Sequence, residues 1–319
     1  MSLTNTTEVQ EGKTAVERDV AAGQTGGNWR ATINLIVVLF KLRIVFLLLM
    51  AATGGAFLAA GGWPGAGTLL LLWLAGGMAA AGSSAFNQYW ERNSDGAMRR
   101  TRKRPLVNGD IQNPNWVPAA SALLIFIPVL AVLPFNPAMS FFLFLGAFIY
   151  TIIYTIWLKP RTLLNIVIGG AAGSAAVLTG SAAAGQWNET GALILALILF
   201  LWTPFHFWSL ALLYREDYSR SDVPMLPVNT TPRQAAWWVM AHTLPTCIFG
   251  VAMAALPALG WVYLIPTALV SLILFWRNVQ LIRDPSPANA KAMFMASNYY
   301  LTVLLLAVFA GTVARSLLA

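Results

Sequence analysis

The stretch GTLLLLWLAGGMAAAGSSAFNQYWERNSDGAMRRTRKRPL, Gly67–Leu106, decides the fold. Its first part, Gly67–Tyr89, is an apolar run without a charged side chain, long enough to cross the hydrocarbon core of a bilayer as a helix. Its second part, Asn87–Leu106, holds two acidic residues and six of the 20 basic residues of the chain. An apolar span that ends in a basic segment indicates a membrane helix emerging at the inner face.

The composition of the whole chain points to the same class of protein. The 319 residues are 58% hydrophobic and only 10% charged, with 13 Trp and a mean hydropathy of +0.65. A net charge of +8 would suit nucleic acid, but the basic residues lie in short segments between apolar runs, as the positive-inside rule requires. We therefore expect a protein embedded in the lipid bilayer, with no nucleic-acid partner. The single cysteine, Cys247, excludes an internal disulfide.

Nine apolar runs follow one another along the chain, without the alternation typical of membrane strands. Their approximate limits are Arg43–Ala60, Gly67–Tyr89, Val117–Leu133, Ala138–Trp157, Leu163–Ala184, Gly191–Leu213, Ala235–Leu256, Trp261–Trp276 and Met293–Ala314. Because backbone polar groups in lipid must be satisfied internally, the runs predict an all-α polytopic bundle of nine transmembrane helices. We expect the polar residues 1–30 to form a disordered cytoplasmic tail, and residues 31–319 to form a single transmembrane domain.

The positions of lysine and arginine predict the orientation. With the amino terminus in the cytoplasm, every basic residue except Arg315 falls on the inner side, and so does every acidic residue except Glu189. The carboxyl terminus is then external, and the expected location is the cytoplasmic (inner) membrane of a bacterium. Because the polar residues concentrate at one face, we expect an active site toward the cytoplasm.

Three oxygen-bearing side chains recur at helical spacing at the end of the opening stretch. Asn87, Glu91 and Asp95 stand at i, i+4 and i+8, so they share one face of a helix. Carboxylate and amide oxygens beside concentrated positive charge suit a Mg²⁺ ion that carries a phosphate group. A helix end emerging into water, with its acids neutralised by Arg92 and Arg99, is the competing interpretation.

A second inner segment, YTIWLKPRTLLN at Tyr154–Asn165, connects the fourth and fifth runs. Lys159 and Arg161 are either markers of topology or groups that neutralise a diphosphate. Asn165 adds a polar group inside the start of an apolar span, where polar side chains are costly and usually functional. The segment is therefore a candidate part of the same site.

The third and fourth polar segments are WTPFHFWSLAL, Trp202–Leu212, and the acidic stretch that follows it. Pro204 is expected to kink the helix, and His206 lies among aromatic residues at membrane depth. The sequence leaves three roles open for His206: ligand, acid–base group or packing residue. Asp217 follows His206 by eleven residues, so the two share a face if the helix continues. Asp217 provides a second acidic site; Asp222 is favoured as a solvated charge, and its role stays open.

Two acidic sites among basic residues, above apolar helices, describe a site for a Mg²⁺-bound isoprenoid diphosphate. Ionisation of the carbon–oxygen bond would leave an allylic cation and diphosphate, whose charge the cations would stabilise. A dry aromatic cavity would protect the carbocation from water. Small-residue patches such as Gly54-Gly55, Gly76-Gly77 and Gly169-Gly170 either let helices approach closely or leave room for the ligand.

Four motifs, in this order, resemble those of the intramembrane prenyltransferases, in particular the branch that farnesylates protohaem IX. They are N-x-Y-W-E-R-x-x-D-x-x-M-x-R-T-x-x-R-P at Asn87–Pro105, Y-T-x-x-L-K with T-x-x-N-I-V-I-G-G at Tyr154–Gly170, W-T-P-x-H-F-W at Trp202–Trp208, and D-Y followed by V-P-M-L-P-V at Asp217–Val228. The resemblance runs from about Lys41 into the ninth apolar run. Glu91 departs from it, since aspartate is common there, but it keeps an oxygen ligand.

The resemblance implies a transferase that joins the farnesyl group of farnesyl diphosphate to a vinyl carbon of haem B. The product would be haem O, on the pathway to haem A, with haem A synthase as the downstream partner. Mg²⁺ would be bound with the diphosphate, and haem B would be a substrate rather than a cofactor. A related enzyme acting on an aromatic quinone precursor is the alternative. An ion-coupled transporter or a structural haem-binding subunit is disfavoured, since the ionisable residues cluster at one face.

The resemblance also assigns the candidate residues to roles. The expected metal ligands are Asn87, Glu91, Asp95 and Asp217, and these four with His206 are the expected catalytic residues. The expected diphosphate contacts are Arg99, Arg104, Lys159 and Arg161. The expected contacts to haem or to the prenyl group are His206, Trp202, Trp208 and Asn165.

Overall fold

The computed structural model describes residues 29–220 and 223–318. Residues 1–28 of the expected tail and Asp222 lie outside the described residues. Within them the chain is helical and contains no β-strand. Nine of the described helices are long and apolar enough to cross a membrane. The predicted fold class, an all-α polytopic bundle, is confirmed.

One helix precedes the nine spans and was not predicted from the sequence. It is α1, Trp29–Leu39, so Trp29 and Arg30 begin a helix where a disordered tail was expected. The spans are α2 Leu42–Ala60, α3 Ala66–Asp95, α4 Pro114–Val132, α5 Pro137–Leu158, α6 Asn165–Ala183, α7 Thr190–Leu213, α8 Pro232–Ala255, α9 Gly260–Arg283 and α10 Pro287–Leu318. Most limits agree with the apolar runs within a few residues, whereas α3, α9 and α10 extend well beyond theirs.

Helix α3 continues past its apolar run. It ends at Asp95, six residues beyond the predicted limit at Tyr89, and Asn87, Glu91 and Asp95 are all buried. The predicted shared helical face of these three residues is therefore confirmed. The helix persists because partners from other segments satisfy these polar side chains, as described below.

Close contact between α2 and α6 fixes the centre of the bundle. A Cβ atom on Gly180 of α6 would stand 1.7 Å from Ala52 O, and one on Gly55 of α2 would stand 2.1 Å from Val177 O. Only glycine permits this approach of backbone to backbone, so packing is the correct interpretation for this small-residue patch. Two apolar clusters flank the pair, one centred on α6–α10 and the other on α2–α6.

Helix α5 changes its hydrogen-bond register before it ends. Pro137–Phe148 is α-helical, whereas Ile149–Leu158 is a π-helix. The backbone N–H of Lys159 accordingly donates to Tyr154 O, five residues earlier, at 2.9 Å. Single π-turns are common at functional sites because they redirect side chains. Here the widened turns carry residues that reach the cavity described below.

Helix α7 does not continue to Asp217. It ends at Leu213, Tyr214 leaves the helical conformation with φ −109° and ψ 35°, and a separate short helix, Arg215–Ser219, follows. The expectation that Asp217 and His206 share a helical face is wrong, because it required an unbroken helix.

Candidate active site

A polar cavity of about 280 Å³ lies where α3, α5 and α6 approach the segment between α1 and α2. Its polar lining consists of Lys41, Asn87, Gln88, Glu91, Arg100, Arg104, Tyr150, Tyr154, Lys159, Thr203 and Tyr218. The structure thus brings together Asn87 and Glu91 of the predicted acidic face and two of the four cations predicted to bind diphosphate, whereas Asp95 lies behind Arg104 and does not line the cavity. Several other lining residues were not predicted.

Two ion pairs cross this region. Lys159 Nζ donates to Glu91 Oε1 at 2.5 Å, and Arg104 donates to Asp95 Oδ2. Both carboxylates are buried, with side-chain exposures of 8% for Glu91 and 2% for Asp95, so pairing is what makes their charges tolerable there. The partners come from the α5–α6 connection and from the basic loop. The solvated helix end of the competing interpretation is therefore not observed.

Asn87 connects this pair to two further groups. Its Nδ2 donates to Glu91 Oε1 at 2.8 Å and to Thr155 Oγ1 at 3.0 Å. Its Oδ1 accepts a hydrogen bond from Lys41 Nζ at 2.6 Å. Thr155 belongs to the π-helical end of α5, so the altered register brings a second helix into this network. The orientation of Asn87 is consequently fixed from three sides.

Lys41 was missed in the sequence analysis. It joins α1 to α2 in the left-handed conformation, with φ 48°, which is unusual for a residue with a side chain. Gln88 Nε2 holds the end of α1 by donating to Val38 O at 2.5 Å and Leu39 O at 2.9 Å. Burial, together with the positive charge of Arg104, lowers the pKa of Lys41 to about 7. A lone lysine inside an apolar stretch, two residues before the first predicted span, was the available signal.

An apolar chamber of about 240 Å³ continues from the polar cavity into the bundle between α2, α3, α5 and α6. The two cavities share the lining residues Ile44, Tyr150, Gly169, Thr203 and Phe207. Glycines of α3 and α6 also line the chamber, so the second interpretation of the small-residue patches, room for a ligand, applies here. The geometry provides a charged head site joined to an apolar tail site.

Asp217 lies in a third, wider cavity of about 780 Å³, not in the polar cavity. Arg99 lines the same wide cavity, and Arg100 lines both. Arg100 Nη2 donates to Tyr218 OH at 3.5 Å between them. The structure therefore does not bring Asp217 and Arg99 against Glu91, because the break after α7 turns Tyr218, the residue after Asp217, toward the polar cavity.

Arg161 is also placed elsewhere. Its guanidinium donates to Ile156 O and Trp157 O, both at 2.9 Å, at the exposed end of α5. These carbonyls belong to the last turn of the helix, where backbone N–H partners run out. The Arg161 side chain therefore caps the helix and does not line the polar cavity. The expected diphosphate contact by Arg161 is not supported by the geometry.

Two expected contacts to haem or prenyl group are packed away from the cavities. Asn165 is fully buried, and its Nδ2 donates to Thr162 O at 2.6 Å and to Pro224 O at 3.0 Å, which ties two loops together. Trp208 is buried against His242 of α8, with ring centroids 5.2 Å apart. Both residues therefore have structural surroundings rather than a place in a cavity wall.

Residues 47–314 match the model of the UbiA prenyltransferase family. The chain belongs to the UbiA prenyltransferase family. The match covers seven of the nine spans completely and most of the first and the last, and it includes every residue that the sequence analysis assigned to the site. The chain is therefore a membrane-embedded prenyltransferase.

Several members of the UbiA family share substantial sequence with this chain. Protoheme IX farnesyltransferase 1 of Paramagnetospirillum magneticum is 44% identical over 76% of this chain and 86% of that protein. Protoheme IX farnesyltransferase 2 of the same organism is 40% identical over 87% and 96% of the two chains. The protoheme IX farnesyltransferase of Metallosphaera sedula is 38% identical over 75% and 83%.

Solved structures share the fold at much lower identity. A digeranylgeranylglyceryl phosphate synthase matches with a TM-score of 0.74 at 17% identity, over 88% of this chain and 99% of that one. A UbiA homologue from Archaeoglobus fulgidus, bound to DMAPP and Mg²⁺, matches with a TM-score of 0.60 at 14% identity, over 86% and 99%. These similarities establish that the described bundle is the UbiA fold.

Proposed function

We propose that this protein transfers the farnesyl group of farnesyl diphosphate to a vinyl carbon of haem B, giving haem O and diphosphate. The observation that carries the proposal is the polar, cation-lined cavity that continues into an apolar chamber. A diphosphate head and an isoprenoid tail need these two environments side by side. The acceptor is supported by relatives at 38–44% identity whose names specify protoheme IX.

The diphosphate is proposed to bind among the cations of the polar cavity. Lys41, Arg100, Arg104 and Lys159 line it together. Their charges would neutralise the negative charge that develops on the bridging oxygen as the carbon–oxygen bond breaks, and they are already in place before reaction. Arg104 and Lys159 were assigned this role from the sequence, and the cavity adds the other two.

The donor set of α3 fits Mg²⁺. This ion usually takes one or two carboxylates together with substrate phosphates and retained waters. Glu91 and Asp95 supply two carboxylates, Asn87 supplies an amide oxygen, and no group of three or more His, Cys, Asp or Glu in the described chain forms a metal cage by itself. These residues would hold the ion, which when bound supplies charge neutralisation to the diphosphate. A homologue of the same fold binds DMAPP and Mg²⁺. Asp217, in the neighbouring cavity, remains the proposed second acidic site.

The chamber is proposed to hold the farnesyl chain and to exclude water from the allylic cation. Tyr150 and Phe207 line both cavities, so aromatic faces stand where the cation would form. The farnesyl C1–O bond breaks, C1 bonds to the terminal vinyl carbon, and one water adds its oxygen to the adjacent carbon and releases a proton. The atoms of haem B, farnesyl diphosphate and water then balance those of haem O and diphosphate.

The side of the membrane is part of the proposal. The basic segments Arg92–Arg104 and Lys159–Arg161 lie beside the polar cavity, and the positive-inside rule favours the cytoplasm for them. We place the active site at the cytoplasmic face of a bacterial inner membrane. The apolar product would pass to haem A synthase, the proposed downstream partner.

The experiment that tests the acceptor is a choice between two substrates. Membranes containing the protein receive farnesyl diphosphate, Mg²⁺ and either haem B or an aromatic quinone precursor. We expect mass spectrometry to show haem with a hydroxyethylfarnesyl group and no prenylated aromatic compound. Prenylation of the aromatic acceptor alone would assign the protein to the other branch of the family.

A further inference from the structure

His206 is held rigidly on the face of α7 that packs against α10. The ring of Trp202, one helical turn earlier, stacks on the imidazole at 4.1 Å between centroids and 18° between planes. Phe294 of α10 packs on it at 4.6 Å and 32°. Trp202 Nε1 also donates to Ser297 O at 2.9 Å, which fixes the stacked ring. Packing therefore determines both the position and the plane of the imidazole.

A hydrogen bond on α10 selects the tautomer of His206. Ser297 Oγ lies 2.6 Å from Phe294 O and 2.7 Å from His206 Nδ1. The hydroxyl has one proton, and the carbonyl oxygen can only accept it, so Oγ is left as the acceptor toward the imidazole. Nδ1 therefore carries the ring proton, and the lone pair lies on Nε2.

The Nε2 atom is not used by the protein. It has no hydrogen-bond partner among residues 29–220 and 223–318, and His206 is only half-buried, so this edge of the ring reaches the surface of the bundle. The adjacent residue, Phe207, lines the polar cavity and the apolar chamber, and its ring stands at 89° to the imidazole at 5.5 Å. His206 itself lines none of the three described cavities, so its imidazole is connected to the wall of the reaction cavity through Phe207.

The other histidine offers no such site. His242 is the second of the two histidines in the chain. Its Nδ1 is buried without a partner in the described chain, and its ring meets the buried Trp208 at 81°. The same residue type on α8 therefore has a packing role, which makes it a matched control for His206.

We propose that Nε2 of His206 binds the iron of the porphyrin acceptor, and that Ser297 is a positioning residue that presents this nitrogen in its unprotonated form. The inference rests on the proposed function, which supplies haem B as the acceptor. Neutral imidazole is a common iron ligand, and a hydrogen bond to the other ring nitrogen fixes its tautomer and orientation. Ligation would hold the macrocycle beside Phe207 and so limit which of its edges reaches the cation.

The test is spectroscopic and does not require turnover. Purified protein in nanodiscs is titrated with ferric haem B while the Soret band is recorded. We expect His206→Ala to lose the nitrogen-ligated spectrum and to bind haem at least tenfold more weakly, and added imidazole to restore the spectrum. His242→Ala should behave as the wild type. An unchanged spectrum and affinity in His206→Ala would overturn the inference.

Iron-free protoporphyrin IX separates ligation from packing. We expect it to bind with equal affinity to the wild type and to His206→Ala, because it contains no iron that His206 could ligate. An equal loss of affinity for protoporphyrin IX and for haem would show that His206 only shapes the surface, and would contradict the proposal.

The positioning role of Ser297 is tested separately. Ser297→Ala keeps the imidazole and should weaken haem binding severalfold, whereas Ser297→Thr should retain the wild-type affinity. Equal affinities in both variants would refute the positioning role.

The two levels of proposal fail in different ways. If haem O never forms but the Soret shift still depends on His206, the ligand site stands and the proposed reaction is wrong. If haem O forms normally while His206→Ala leaves the spectrum unchanged, the reaction stands and the ligand site is wrong.

Discussion

Lys159 Nζ lies 2.5 Å from Glu91 Oε1 and joins the end of α5 to the end of α3, across 68 residues of sequence. The pair closes the polar cavity on the side where Asn87 also contacts Glu91. In the absence of substrate a lysine and a carboxylate neutralise each other. With a Mg²⁺-bound diphosphate present, the same two groups would each have a partner of opposite charge in the ligand. The resting site is therefore already electrostatically arranged for its substrate.

Substitutions at Lys159 and Glu91 should distinguish the contribution of Lys159 to turnover from its contribution to the melting temperature. Lys159→Met removes a cation from the leaving-group site, and we expect the turnover number to fall by about 10²–10³-fold, as when one preorganised stabilising group is lost. It also leaves Glu91 as a buried unpaired charge, so the melting temperature should fall. In the double variant Lys159→Met/Glu91→Gln, the melting temperature should recover while activity does not.

The matched control is Lys103→Met. Lys103 belongs to the same basic region, but it is exposed and does not line the polar cavity. It should retain wild-type turnover and stability. If Lys159→Met turned over like this control, Lys159 would not contact the leaving group.

Thr155→Val tests the contribution of the π-helical end of α5. Thr155 Oγ1 accepts from Asn87 Nδ2, so valine leaves this buried amide with one partner fewer. We expect turnover to fall about tenfold, the equivalent of one hydrogen bond. Thr151→Val is the control, since Thr151 Oγ1 donates only to Ala147 O in the same helix. Equal effects of the two substitutions on turnover would mean that the contact to Asn87 is unimportant.

Phe142→Ala should alter the preference for prenyl chain length. Phe142 lines the apolar chamber, whereas its neighbour Phe141 is 56% exposed on the outside of α5. Enlarging the chamber should raise kcat/KM for geranylgeranyl diphosphate relative to farnesyl diphosphate, and Phe141→Ala should leave the ratio unchanged. Competition between the two diphosphates, resolved by mass spectrometry, gives the ratio directly. No difference between the variants would place the prenyl chain elsewhere.

Removal of Mg²⁺ should abolish transfer reversibly. We expect EDTA to stop turnover and added Mg²⁺ to restore it. Asp95→Asn removes one carboxylate of the α3 donor set and should raise the Mg²⁺ concentration for half-maximal turnover at least tenfold. Asp110→Asn, in the exposed loop after the basic segment, should show the wild-type Mg²⁺ dependence. An Asp95→Asn variant with normal turnover at low Mg²⁺ would exclude Asp95 as a ligand.

The spans and one half of the site were accessible from sequence because simple physical rules govern them. Apolar run length sets where a helix can cross lipid, and the spacing of Asn87, Glu91 and Asp95 sets a shared face. Lys159 and Arg104 were identified as candidate cations, although their specific carboxylate partners were not. The partner of a buried carboxylate cannot be predicted from its neighbours in sequence, because tertiary packing determines which cation reaches it.

Other features depend on backbone geometry that residue patterns do not reveal. The π-helix of Ile149–Leu158 has the same apolar composition as an α-helix, so the placement of Thr155 and Tyr150 was not predictable. The left-handed turn at Lys41 follows the end of α1, where Gln88, far along the chain, binds the carbonyls of Val38 and Leu39. The helix break at Tyr214, which separates His206 from Asp217, is not marked by a Pro or Gly in the sequence around it.

The most direct test of the account is the stoichiometry of the products. Purified protein is incubated with haem B, farnesyl diphosphate and Mg²⁺, and haem O and released diphosphate are quantified together. We predict equal amounts of the two, and neither in the absence of haem B or in the presence of EDTA. Unmodified haem B, or diphosphate released without haem O, would contradict the proposal that this cavity transfers a farnesyl group to haem.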